Sequence, residues 1–220
     1  MNKTEKKWSV SWQQPVFRKK MIIAWLLVTA VLAILPLFFP IIEKRSGPVL
    51  NDWLLHRISA VDVSVPIFIF IWGATILGII RAIQDPSVCI LLFWTYFLVT
   101  FSRLISIWLV PLDPPEHLIP LIDPLSNTFY GKHFITRDLF YSGHTSSMFV
   151  ILFCLPRKWD KVFVLICAIV VGALLLIQHV HYTIDVLFAP VFTFLFYHWG
   201  KKITANARAA AGAKLEVGST

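Results

Sequence analysis

Two histidines in different polar settings are the residues of this 220-residue chain best suited to chemistry. His144 follows Ser142 and Gly143 and precedes Thr145, while His181 lies two residues after His179, beside Tyr182, and four before Asp185. A serine and a glycine opening an apolar run read as a helix start, in which Ser142 supplies the cap and Gly143 leaves the N–H groups unobstructed. Free N–H donors and the positive end of the helix dipole coincide there and attract phosphate, which His144 would then reach. Taken alone, the same residues read as an ordinary capped helix with a polar histidine at the interface. His181 and Asp185, four apart, share a face if both are helical, so the carboxylate can accept from one imidazole nitrogen and make the other more basic. Taken alone, that pair reads equally as a structural link between two helix ends.

Together the two groups divide the work of phosphoryl transfer. One histidine attacks phosphorus to form a phosphohistidine, and the other protonates the leaving oxygen. Asp185 marks His181 as the nucleophile. His144, with no carboxylate beside it in sequence, suits the general acid. The competing chemistry is zinc, for which His144, His179, His181 and Asp185 offer enough donors. On one helix His179 and His181 would point ~200° apart, so chelation needs an extended segment there. The expectation is therefore a site with no metal and no cofactor.

Such residues need a scaffold, and the composition names its solvent. Hydrophobic residues make up 57% of the chain and charged residues 15%, with a mean hydropathy of +0.73. That charge content is far below the roughly one quarter of soluble domains. Apolar blocks of about spanning length cover 21–39, 61–80, 88–110, 139–155, 162–177 and 184–199. The expected fold is an all-α polytopic membrane protein of six transmembrane helices. It has a basic segment over 1–20, a catalytic bundle over 21–200 and a tail over 201–220. That tail reads as a frayed helix or as partly foreign to the natural chain. Residues 1–20 lack a signal-peptide pattern, so the first block is expected to be a retained span.

The net charge of +8 comes from basic residues in short loops rather than from a stripe interleaved with aromatics, which argues against nucleic acid. With the N-terminus in the cytoplasm, 14 Lys and Arg residues fall on the cytoplasmic side and five opposite. That bias places both termini inside and His144, His181 and Asp185 on the non-cytoplasmic face, be it periplasmic, extracellular or lumenal. Cys89, Cys154 and Cys167 all lie in apolar blocks and read as small core residues rather than a disulfide framework. Arg103, near the outer end of the third block, is a charge in an expensive place and hence a functional candidate, or else it snorkels to the interface. The loop 111–138, with five prolines, reads as a stiff connector or as a segment resting among headgroups.

The stretch Asp138-Leu139-Phe140-Tyr141-Ser142-Gly143-His144-Thr145, followed by His181-Tyr182-Thr183-Ile184-Asp185-Val186, resembles the two catalytic motifs of sphingomyelin synthases. These are lipid-headgroup transferases of the type 2 phosphatidic acid phosphatase (PAP2) superfamily. The resemblance implies a catalytic triad of His144, His181 and Asp185. More weakly, 96–109, carrying Arg103, resembles the family's third-span motif, and 48–52 its first-loop motif. Around the triad, Ser142, Gly143, Thr145, Asp138 and Tyr182 are expected to line the substrate site. Arg103, Arg137, Lys132 and His179 are candidate phosphate ligands. Thr136-Arg137 stand where the family's motif has Cys-Gly. The Lys-x6-Arg-Pro and Ser-Arg-x5-His patterns of the phosphatase branch are absent. So few cations suit a singly charged phosphodiester better than a monoester. The expected reaction moves a phospho-headgroup from a phospholipid donor to a lipid hydroxyl acceptor, ceramide or diacylglycerol. With water as acceptor the same site is a lipid phosphatase or a phospholipase C-like hydrolase. The remaining alternative is a non-enzymatic lipid-binding membrane protein.

Overall fold

The computed structural model describes residues 3–121 and 135–217, so Lys132 and the middle of the proline-rich loop lie outside the described residues. Among the described residues the chain is all helical, and helices cover the expected apolar blocks. They are α1 (Lys3–Trp12), α2 (Pro15–Ile42), a 3-10 turn (Leu55–Arg57), α3 (Ser64–Gln84), α4 (Pro86–Leu109), α5 (Gly143–Cys154), α6 (Lys158–Ile177) and α7 (Thr183–Val217).

Four of these helices, α2, α3, α4 and α6, are long and apolar enough to cross a membrane. In α7 the apolar residues are gathered in the first half, and the helix continues through the expected tail to Val217. At 12 residues, ~18 Å, α5 falls short of a ~30 Å hydrocarbon core. Its expected span, 139–155, is helical only from Gly143, because residues 139–142 approach it as irregular chain. Helix α1 was not anticipated in the polar segment 1–20. It is fixed by the Trp8 indole, which donates to the Ile83 carbonyl at 2.7 Å and meets Phe17 edge-on.

Local sequence sets the helix ends. Pro15 and Pro86 occupy first-turn positions, where a missing N–H costs nothing. Asp85 closes α3 and caps α4 in one residue, its carboxylate accepting from Ser87 N–H at 2.8 Å. Helix α4 is the hub and packs on α2, α3, α5 and α7. Helix α3 packs on α4, α5 and α6, while α2 packs on α4 and α7. Helices α2 and α3 face each other across a cavity of about 600 Å³ lined by both. Exposed Leu37, Val65, Ile69, Ile169, Leu187 and Val191 form the apolar exterior expected of helices in lipid.

Candidate active site

The irregular segment 138–142 runs beside the last turns of α4, where unpaired backbone polar groups are costly. Helix α4 satisfies two of the segment's carbonyls. Ser106 donates its hydroxyl to the Phe140 carbonyl at 2.8 Å, and Arg103 donates Nε to the Tyr141 carbonyl at 2.8 Å. The Tyr141 ring stacks on Phe192, centroids 4.8 Å apart, and its hydroxyl meets Ser102 at 2.7 Å. This grip delivers the chain to Ser142, whose buried hydroxyl caps α5 by accepting from Thr145 N–H at 3.3 Å. Gly143 and His144 then open onto the cavity.

The start of α7 is built differently. Asp185, fully buried, reaches back to accept from Tyr182 N–H at 3.0 Å, the acidic half of a capping box. Its carbonyl accepts from Ser142 N–H at 3.1 Å, tying the two helix starts together. Asp52, from the loop after α2, accepts from Thr183 N–H at 2.6 Å and from the Thr183 hydroxyl at 2.9 Å, a cap supplied from outside the helix. Burial works against a charged Asp52, but these bonds, with those from Leu55 and Leu54, hold its carboxyl below the usual range.

His181 therefore precedes α7 instead of sharing a helical face with Asp185. It is buried, and its Nδ1 lies 3.5 Å from Asp185 Oδ2, an ion-pair separation too long for a good hydrogen bond. Among the described residues His181 Nδ1 and Asp185 Oδ1 have no hydrogen-bond partner. The His181 and His144 rings are neighbours in an edge-on arrangement, centroids 6.4 Å apart and planes at 64°. Both line the cavity, as do Arg103, Thr136 and Asp138. Arg103 Nη2 donates to Asp138 Oδ1 at 2.5 Å, and the guanidinium packs over the α5 start. A Cβ on Gly143 would fall 2.5–2.7 Å from guanidinium atoms. Gly143 is thus needed for the arginine to lie there, a different reason from the open N–H groups expected of it. Below this polar mouth the lining is mostly apolar, with Val28 and Leu35 of α2, Ile71 and Ile79 of α3, Leu92 and Phe93 of α4, and Ile151 of α5, and with Thr75 and Ser147 among them.

Five of the expected substrate contacts are placed elsewhere, the first being Ser142, buried as the α5 cap. Arg137 donates Nε to Asp113 at 2.8 Å and Nη1 to the Glu43 carbonyl, behind Thr136. Thr145 is buried with its hydroxyl on Ser142. The Tyr182 hydroxyl donates to the Asp113 carbonyl at 2.8 Å and accepts from Leu50 N–H at 3.1 Å. His179, at a positive φ of 56°, sets one ring nitrogen against the Glu116 carbonyl at 2.9 Å and the other against the Ile58 carbonyl at 3.0 Å. None of the five lines the cavity: Ser142 and Thr145 close the α5 start, while Arg137, Tyr182 and His179 tie together the loops at this end of the bundle.

The residues that sequence reasoning missed are the acids of those loops. Asp113 accepts from Arg137 and Gly47, and the arginine keeps its carboxyl below the usual range. Glu43 accepts from Thr136 and Arg137. Only Asp52 carried a signal, through the first-loop resemblance. A comparison with curated proteins gives no match. Residues 137–202, under a third of the chain, match a family model described as PAP2 superfamily C-terminal, and that segment, which holds His144, His181 and Asp185, supports the PAP2 superfamily.

Proposed function

We propose that the protein is a membrane lipid phosphotransferase that moves a phospho-headgroup from a phospholipid to a lipid hydroxyl through a phosphohistidine on His181. The observation that carries this reading is the pair of neighbouring imidazoles at the polar mouth of a cavity whose remaining lining is mostly apolar. A headgroup phosphate at the mouth and a hydrocarbon tail below it suit such a cavity. The superfamily match points to a phosphatase or phosphotransferase type of lipid enzyme.

In this mechanism the His181 Nε2 lone pair attacks phosphorus and the bond from phosphorus to the diacylglycerol oxygen breaks. His144 gives its proton to that oxygen, and diacylglycerol leaves. Asp185, beside His181 Nδ1, stabilises the positive charge that the ring acquires. An acceptor hydroxyl then attacks phosphorus, returns its proton to His144, and the N–P bond breaks. Arg103 carries the phosphate charge, with Asp138 fixing its orientation. The site faces away from the cytoplasm, and six segments cross the bilayer: α2, α3, α4, α6, the apolar first half of α7, and the short α5 together with the irregular chain 139–142 that leads into it.

Purified protein incubated with a headgroup-labelled phospholipid, with and without ceramide or diacylglycerol, tests the reading. Labelled product that appears only with the acceptor supports the transferase. Water-soluble label released without acceptor replaces it by the hydrolase. Neither product, in folded protein and across donor headgroups, removes catalysis from the site.

A further inference from the structure

Three donors converge on the carboxylate of Glu43, the residue that closes α2. The N–H groups of Thr136 and Arg137 each reach Oε1 at 2.7 Å, and the Thr136 hydroxyl reaches Oε2 at 2.9 Å. Arg137 tightens the joint by donating to the Glu43 carbonyl and to Asp113. The next residue, Asp138, receives Arg103 Nη2. One residue and one ion pair therefore separate this clamp from the guanidinium at the cavity mouth. The clamp uses the two positions where the chain departs from the Cys-Gly of the motif it resembles. A glycine in place of Arg137 would lack the guanidinium that binds the α2 end.

We propose that Glu43 is a positioning residue: it fixes Thr136 and Arg137 so that Asp138 holds Arg103 with its guanidinium over the α5 start, ready for a lipid phosphate. The proposal rests on the phosphate role given to Arg103 above. In Glu43→Gln the amide oxygen still accepts both N–H groups and the NH₂ meets the Thr136 oxygen, so the clamp survives. In Glu43→Ala it does not.

Two measurements test it, one independent of turnover. Phenylglyoxal modification of Arg103, followed on its own peptide by mass spectrometry, should be about fivefold faster in Glu43→Ala than in wild type or Glu43→Gln, because the guanidinium is less firmly held. In the lipid assay Glu43→Ala should raise KM about tenfold with kcat changed less than about threefold, as expected for lost ground-state binding. Glu43→Gln should restore it. In an Arg103→Lys background Glu43→Ala should add little, since both act through one group. An unchanged rate of Arg103 modification in Glu43→Ala overturns the proposal whatever the lipid assay shows. A wild type that turns over no lipid sinks the functional reading and leaves the modification rates to decide the positioning role. Should Glu43→Ala fail to fold, Thr136→Val, which removes one of the three bonds, gives the same two outcomes at smaller amplitude.

Discussion

At the scale of the residue, the two histidines differ in what surrounds them, and that difference predicts different defects. His181 is buried beside Asp185, whereas His144 stands on the first turn of α5 against the Phe68 edge, centroids 6.4 Å apart. His181→Ala should abolish trapped phosphoenzyme, since no N–P bond can form. His144→Ala should be as poor with a natural lipid, whose alkoxide leaves badly. It should recover part of its rate with a nitrophenyl phosphodiester, which leaves without a proton. Asp185→Asn should keep the fold and lose on the order of 10²–10⁴ in rate, as for other orienting carboxylates. Activated-ester rescue of His181→Ala instead would exchange the two roles. Gly143 gives a second prediction, because its Cβ would meet Arg103 at 2.5 Å. Gly143→Ala should displace the guanidinium and cut activity at least about tenfold, while adding little in an Arg103→Lys background. A fully active Gly143→Ala would show that the arginine's place is immaterial to turnover.

At the scale of the element, the legible and illegible parts separate by mechanism. Helices α2, α3, α4 and α6 were readable as apolar blocks because hydropathy over a long window reports lipid burial directly. The start of α5 was readable from Ser142 and Gly143, since capping is local. What pairing could not be read from spacing was any contact between distant loops: Asp52 with Thr183, Asp113 with Arg137, Glu43 with Thr136. His179 and Arg137 looked like phosphate ligands for the same reason, as sequence shows a charge but not the carbonyl or carboxylate that already holds it. The loop acids also give these ties a pH dependence. The carboxyls of Asp52 and Asp113 are held below their ordinary value of 3.8, so they favour the folded arrangement above that value. That contribution is lost as pH falls through the depressed folded value. Asp52→Asn imitates the protonated state. The melting-temperature gap between wild type and this variant should be flat from about pH 5 to 7 and should close below about pH 4. At neutral pH, Asp52→Ala should cost ~1–2 kcal/mol through the lost cap. A gap that persists unchanged at pH 3 would show that the Asp52 charge does not stabilise the α7 start.

At the scale of the whole molecule, the helices collect their charges at two ends. One end holds Arg81 paired with Asp160, Lys7 paired with Asp85, and Lys20 donating to the Ile203 carbonyl. The other end holds the candidate site, together with Arg45 over Trp108 and Arg57 over Trp53, each 4.8 Å from the ring. Counted along the sequence, 14 Lys and Arg residues fall in the segments on the first side and five in the loops on the second, with Arg103 left within α4. Because Lys and Arg near span ends are retained on the cytoplasmic side, this asymmetry predicts that the end with Arg81 and Lys20 is inside. In the proposed reaction the donor lipid would then come from the outer leaflet, with its tail passing down between α2 and α3. Ser46 and Asn206 are exposed at opposite ends and suit single-cysteine labelling. In intact cells or right-side-out vesicles, Ser46→Cys should react with an impermeant maleimide, and Asn206→Cys should react only after permeabilisation. The parent chain, whose cysteines sit within apolar helices, should stay unlabelled in both conditions. Labelling of Asn206→Cys alone in sealed membranes would turn the molecule over and place the histidines on the cytoplasmic face, where the donor lipid would have to come from the inner leaflet.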